Sequence, residues 1–306
     1  MTRRDMSRDG TSSDRTALIA TDLDRTMIYS RNAMELGTAE SDVASSPGPE
    51  DVLCVEVYEG KPLSYVTSAA EAMLRMLTAS AVVVPTTTRT IAQFQRIELP
   101  GAPWRYAITT NGGNILVDGF PDKRWRTGVD TALADGGASL EEIGSELGRR
   151  IDDSWVRTFR VADELFSYLV VDPEAMPSGF VEEWNGWCAD RGWGASRQGR
   201  KIYTMPNAVC KSLAVAEVRS RLIDDGVLPP DAPVLAAGDG ALDANMLSAA
   251  DAAIRPRHGE LELANWQHPT LSITESSGIA AGEEILRWMS ARVAHGAAVT
   301  PVTSLL

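Results

Sequence analysis

The stretch that decides the fold is Ala17-Leu18-Ile19-Ala20-Thr21-Asp22-Leu23-Asp24-Arg25-Thr26, an apolar run that stops at two carboxylates one residue apart. Uninterrupted apolar residues suit a strand covered on both faces, as in a parallel α/β sheet, and such sheets carry their chemistry at the carboxyl ends of the strands. Asp22 and Asp24 belong at that end. Two carboxylates so close repel each other, and a divalent cation between them relieves the repulsion. Magnesium, with its oxygen ligands and few protein carboxylates, fits that setting. The same segment also reads as an Asx-type turn closing a strand.

The pattern recurs twice. Ala81-Val82-Val83-Val84-Pro85 is a second buried strand that ends in Thr86-Thr87-Thr88-Arg89, ahead of a helix marked by Ile91, Phe94 and Ile97. Pro233-Val234-Leu235-Ala236-Ala237 is a third, ending in Gly238-Asp239-Gly240-Ala241-Leu242-Asp243. Before it, a helix opens at Cys210-Lys211 with Leu213, Val215, Val218 and Leu222 inward; a lysine in a first turn opposes the helix dipole and favours an anion beside it. Thr87 reads equally as a helix N-cap.

Around these lie other textures. Residues 1–15 lack the apolar core of a signal peptide and read as a disordered leader, and 295–306 as a loose tail. Ser30 to Asp51 is polar and aperiodic, a long loop or flap, followed by a hairpin over 53–58 and 63–66 and a helix from Ser68 to Ala79. Tyr106 to Val117 is a hairpin turned by Asn111-Gly112-Gly113. From about 118 to 200 the rhythm becomes α+β: a helix capped by Ser139 and Glu142, strands over 155–161 and 165–171, a helix over 180–187, and strands over 193–197 and 201–204. The fold class is therefore α/β, a doubly wound Rossmann-like parallel sheet core, 16–112 and 206–294, with an inserted α+β domain over 113–205. Helices over 245–249 and 279–293 and strands over 252–254 and 271–274 complete the core.

Composition bounds the function. The chain has 306 residues, with 29 Lys and Arg against 42 Asp and Glu, a net charge of −13. That balance argues against a nucleic-acid surface or a basic membrane patch. Three cysteines without metal-ligand spacing suit a reduced, cytoplasmic setting, and no apolar run reaches membrane-spanning length. The tryptophans at 125, 155, 184, 187 and 193 read as core, with sugar stacking as the other use of such residues. His258, His268 and His295 carry no spacing signal.

Asp-x-Asp-x-Thr, Thr-Thr-Thr-Arg, a helix-start lysine and Gly-Asp-Gly-x-x-Asp, in this order, resemble the four motifs of the haloacid dehalogenase-like superfamily, over residues 17 to about 290. The insertion lies where that superfamily's second (C2) cap type lies, and Asn111-Gly112-Gly113 and Pro206 resemble its sucrose-phosphate and mannosyl-phosphoglycerate phosphatase branch. The resemblance implies a magnesium-dependent phosphatase acting on a small phosphate ester, a sugar phosphate, with Asp22 as nucleophile and Asp24 as a protonated acid. It implies Thr87 and Lys211 on the phosphoryl oxygens, and magnesium held by Asp22, Asp239, the Asp24 carbonyl and Asp243 through water. Arg89, Asn111 and Asn207 are candidate substrate residues, and Arg197 and Lys201 candidate cap residues facing the site. Two departures stand out: Leu242 beside the second aspartate, and Thr-Thr-Arg in the threonine loop. A phosphomutase, or a binding protein that kept the fold, uses the same motifs; a lapsed enzyme is expected to lose Asp22, Asp24 or Lys211, and all three remain.

Overall fold

A computed structural model describes residues 15–36 and 51–294. The leader, the tail after Ala294 and most of the flap expected over 30–51 lie outside the described residues. In chain order the elements are β1 (Leu18–Thr21), β2 (Val52–Tyr58), β3 (Lys61–Thr67), α1 (Ser68–Ser80), β4 (Val82–Pro85), α2 (Ile91–Phe94), β5 (Tyr106–Thr109), β6 (Asn114–Val117) and β7 (Phe120–Pro121). Then come α3 (Lys123–Asp135), α4 (Leu140–Arg150), β8 (Val156–Ala162), β9 (Phe166–Val171), α5 (Phe180–Ala189), β10 (Trp193–Gln198) and β11 (Lys201–Pro206). Last are α6 (Lys211–Asp224), β12 (Val234–Ala237), α7 (Ala244–Ser248), β13 (Ala252–Arg255), α8 (Glu260–Leu263), β14 (Leu271–Ile273) and α9 (Gly278–Ala294).

The central sheet has five parallel strands in the order β14-β13-β12-β1-β4. Alternation along β1 divides the core: Ile19 packs with Leu74, Leu77 and Ile285 of α1 and α9, while Leu18 and Ala20 pack with Ala214, Val218 and Leu222 of α6. Every residue of β1, β4 and β12 is buried, which is why these strands read as continuous apolar runs rather than alternating ones. Pro85, which has no N–H to give, ends the edge strand β4.

The insertion forms its own antiparallel sheet, β10-β11-β9-β8, with Ile143, Leu147, Trp155, Phe166, Trp184 and Trp193 in a separate apolar core. Trp155, Trp184 and Trp193 are at most 3% exposed, so these three pack rather than present a stacking face. The β5–β6 hairpin straddles the expected boundary at 113: Ile115 and Val117 pack with the main core, and the insertion's core begins at Val129.

Three expectations change. The helix after Arg89 ends at Phe94, because the chain turns there and Ile97 bridges Glu56 instead. Leu213 is 54% exposed, and Ala214 takes the inward position on α6. A helix not read from the sequence, α3, starts where the Asp122 carboxylate accepts the Arg124 and Trp125 N–H groups; Val129 is the buried residue on it, so it shows no apolar stripe.

Candidate active site

The carboxyl ends of β1, β4 and β12 converge, and with them the three polar loops. Parallel register sets Thr21 beside Ala237 and Pro85, so Asp22 and Asp239 leave adjacent strands at the same level. The Thr86 N–H donates to the Thr21 carbonyl and the Thr87 N–H to the Ile108 carbonyl, which lays the threonine loop alongside. Lys211 opens α6 from the other direction. Asn111 and Gly112 place that opening: the Asn111 amide donates to the Val209 carbonyl at 3.2 Å, and a Cβ on Gly112 would stand 2.4 Å from the Cys210 carbonyl oxygen. Gly112 has φ +99°, so glycine is demanded twice over.

Asp22, Asp239 and Asp243 bring ligand oxygens within 4.8 Å of one another. Lys211 Nζ donates to Asp22 Oδ1 at 2.6 Å and to Asp243 Oδ1 at 2.5 Å. The four side chains are buried: Asp22 is 5% exposed, Asp239 0%, Asp243 2% and Lys211 1%. Burial pushes the Asp22 carboxyl up to about 7, against the pull of Lys211 and with the push of Asp243 and Asp24. Asp239 goes well above the ordinary carboxylate range, by burial first and then by Asp22 and Asp243. Lys211 is raised by the two carboxylates, which outweigh its burial.

Both Asp239 oxygens are buried without a hydrogen-bond partner among the described residues. Asp243 Oδ2, in contrast, accepts the Gly240 N–H at 2.9 Å. Glycines make room for both: a Cβ on Gly259 would stand 2.5 Å from Asp239 Oδ2, and one on Gly238 2.4 Å from Asp243 Cγ. Three buried carboxylates against one ammonium, with one carboxylate orphaned in a glycine-lined cradle, suit a hard divalent cation.

Asp24 departs from expectation. Its carboxylate takes a two-point grip from Arg89, Nε to Oδ2 and Nη2 to Oδ1, both at 2.8 Å. Burial raises its pKa, but the Arg89 charge and hydrogen bonds outweigh it, so Asp24 is held below its ordinary range as an anion, not as the protonated acid expected. Arg89 in turn gives Nη1 to Glu56 Oε2 at 2.8 Å, so this candidate substrate residue already bridges two carboxylates. Glu56, which the sequence did not single out, also accepts Ser64 Oγ at 2.6 Å and Arg96 Nη2 at 3.1 Å and is 2% exposed.

Thr87 is fully buried, and its Oγ1 accepts the Arg89 N–H; the cap of α2 is Thr90, whose Oγ1 accepts the Gln93 N–H, so the N-cap reading of Thr87 does not hold. Asn111 and Asn207 line a different cavity, of about 330 Å³, with Asn207 exposed. Lys201 lines the cavity above Asp24 with Tyr168 and Tyr203, whereas Arg197 is exposed and lines neither cavity there. His258 donates from Nε2 to the Arg25 carbonyl, since Nδ1 accepts the Gly278 N–H; it braces the acidic loop.

No family model and no curated protein matches the chain. Solved structures do. The sucrose-phosphatase from Synechocystis sp. PCC6803, in complex with sucrose and phosphate, superposes with a TM-score of 0.61 at 14% identity, over 90% of this chain and 98% of that one. The chain shares the fold of that sucrose-phosphatase. The same fold relates the chain to Thermoplasma acidophilum 0175, with a TM-score of 0.55 at 13% identity over 90% of this chain and 99% of that one. A trehalose-6-phosphate phosphatase related protein gives 0.51 at 16% identity, over 91% and 99%. Within this shared fold the β8–β11 sheet forms the cap, and the acidic cluster sits under it at the strand ends.

Proposed function

We propose that the protein is a magnesium-dependent phosphatase that hydrolyses a small phosphorylated metabolite, a sugar phosphate, by way of an aspartyl-phosphate on Asp22. The observation that carries this reading is Lys211 Nζ bridging Asp22 and Asp243 beside the unpartnered carboxylate of Asp239. Asp22, Asp239 and Asp243 are the side chains that would hold magnesium. Bound there, the ion supplies positive charge between an anionic nucleophile and an anionic phosphoryl group.

In this reading an Asp22 oxygen attacks phosphorus and the ester oxygen leaves with its electron pair, taking a proton from Asp24. Water then attacks the aspartyl-phosphate, gives its proton to Asp24, and releases phosphate and free Asp22. Lys211 answers the charge on the phosphoryl oxygens, and the Thr87 hydroxyl adds a hydrogen bond. The Arg89 grip found here is suited to the second step, where Asp24 must be an anion able to accept a proton. For the first step Asp24 must bring a proton, and Glu56 offers Arg89 an alternative partner when it lets Asp24 go.

The test is phosphate release from a panel of phosphorylated metabolites and an aryl phosphate, with magnesium and with a chelator. Turnover that needs magnesium is expected. Turnover undiminished in chelator, or none on any ester, contradicts the reading.

A further inference from the structure

Two adjoining cavities of about 250 and 260 Å³ lie between cap and core, and both are lined by Asp24, Thr88, Lys201 and Tyr203. They open on the Asp24 side of the site, the side where the leaving alcohol must stand if Asp24 is to reach its oxygen. Their charges are unevenly answered. Arg89 pairs with Asp24 and Glu56, and Arg96 pairs with Glu56. Lys201 lines both cavities, and Arg25 and Arg200 line the second; none of the three has a carboxylate at ion-pair distance among the described residues. In a chain with a net charge of −13, three cations without an ion pair beside an acidic site stand out.

Their placement is fixed by the turn between β10 and β11, which reaches down to the core. A Cβ on Gly199, at the tip, would stand 3.0 Å from Arg25 Nη2, and one on Gly240 of the core 2.7 Å from Gln198 Nε2. Gln198 and Lys201 are the last pair of the hairpin, so Lys201 comes down over Asp24. Lys201 Nζ stands 5.6 Å from the centre of the Tyr168 ring, and Tyr203, 4% exposed, backs it from the same sheet. An ammonium near the Tyr168 ring that lines a polar cavity is placed to meet an anion.

We propose that the alcohol part of the substrate carries a second anionic group, a carboxylate or another phosphate, received by Lys201 with Arg200. The proposal rests on the phosphatase reading of the site. Lys211 already serves the scissile phosphate from the far side of Asp22, which leaves Lys201 for the leaving group. Cavities of this size hold a small polyol acid rather than a polymer.

Two matched pairs test it, each differing by one anion: 6-phosphogluconate against glucitol 6-phosphate, and fructose 1,6-bisphosphate against fructose 6-phosphate. At least one charged member is expected to have a kcat/KM about tenfold or more above its partner, the worth of one charge-assisted hydrogen bond. The pair that shows it identifies the anion. Lys201→Gln is expected to bring that ratio close to one, and Lys201→Arg to keep most of it. No preference in either pair overturns the proposal, as does a Lys201→Gln variant that lowers both members of a pair by the same factor. Binding of the same four compounds to Asp22→Asn with magnesium separates the two readings. A kept Kd ratio without wild-type turnover removes the phosphatase and leaves the anion site, while an absent Kd ratio removes the anion site alone.

Discussion

At the scale of single residues, Asp239 is unfavourably placed among the described residues. It is fully buried, neither oxygen has a partner, and two further carboxylates face it. An orphaned buried anion costs several kcal/mol, a liability that a bound cation would remove. The sign follows from the raised pKa values. A carboxyl raised above its unfolded value of 3.8 contributes stability below that pH and loses it as pH rises, here through about 7 for Asp22. The melting temperature of metal-free protein is therefore expected to fall between about pH 4 and 7, and magnesium to raise it most at the alkaline end. Asp239→Asn is expected to melt higher than wild type without metal at pH 8 and to lose the magnesium shift. A variant that melts lower and still responds fully to magnesium would remove Asp239 from the metal site.

At the scale of elements, the β2–β3 hairpin is tied to the threonine loop through Glu56, which Ser64, Arg89 and Arg96 all reach. Burial raises the Glu56 pKa, but the Ser64 hydrogen bond and the Arg89 charge outweigh it and leave it below 4.5. Its contribution is thus present above pH 4.5 and lost as pH falls through the lowered value. Glu56→Gln is expected to weaken the docking of the hairpin by about 2 kcal/mol, read as lower amide protection in β2 and β3 at pH 7 with β1 and β12 unaffected. Equal protection in both proteins would show that Val55, Tyr65 and Val66 hold the hairpin by apolar contact alone.

Glu56 also marks where sequence reading stops. The strand ends at Asp22, Thr87 and Asp239 are legible because a buried strand and the polar residue that ends it are neighbours in the chain. Lys211 is legible because a cation in a first helical turn needs an anion. Glu56 is an acid within a strand whose arginine partners lie 33 and 40 residues on, and no local pattern announces such a pairing. For the same reason the protonation state expected of Asp24 missed Arg89, 65 residues away. The α3 helix escaped because one buried valine is no stripe.

At the scale of the molecule, the cap is held down over the acidic cluster at two places. The tip of the β10–β11 hairpin rests on Arg25 and Gly240. The turn between β8 and β9 sends Asp163 to the core, where its carboxylate accepts the Ile91 N–H at 3.1 Å and bonds from Thr110 and Asn114. The core residues at these two seats stand in the loops that follow β1, β5 and β12 and at the starts of α2 and β6. Among the described residues no helix is long and apolar enough to cross a membrane.

The central claim is that Asp22 takes the phosphoryl group. Its most direct test is chemical capture: the protein is mixed with magnesium and an aryl phosphate, quenched in acid, reduced with borohydride, and residue 22 is read by peptide mass spectrometry. An acyl phosphate on Asp22 is reduced to homoserine, so the account expects homoserine at position 22, only with substrate present, and none in Asp22→Asn, whose turnover falls to below about one per cent. Active protein with unmodified Asp22 across the turnover period, or homoserine at Asp24 or Asp239 instead, would contradict it.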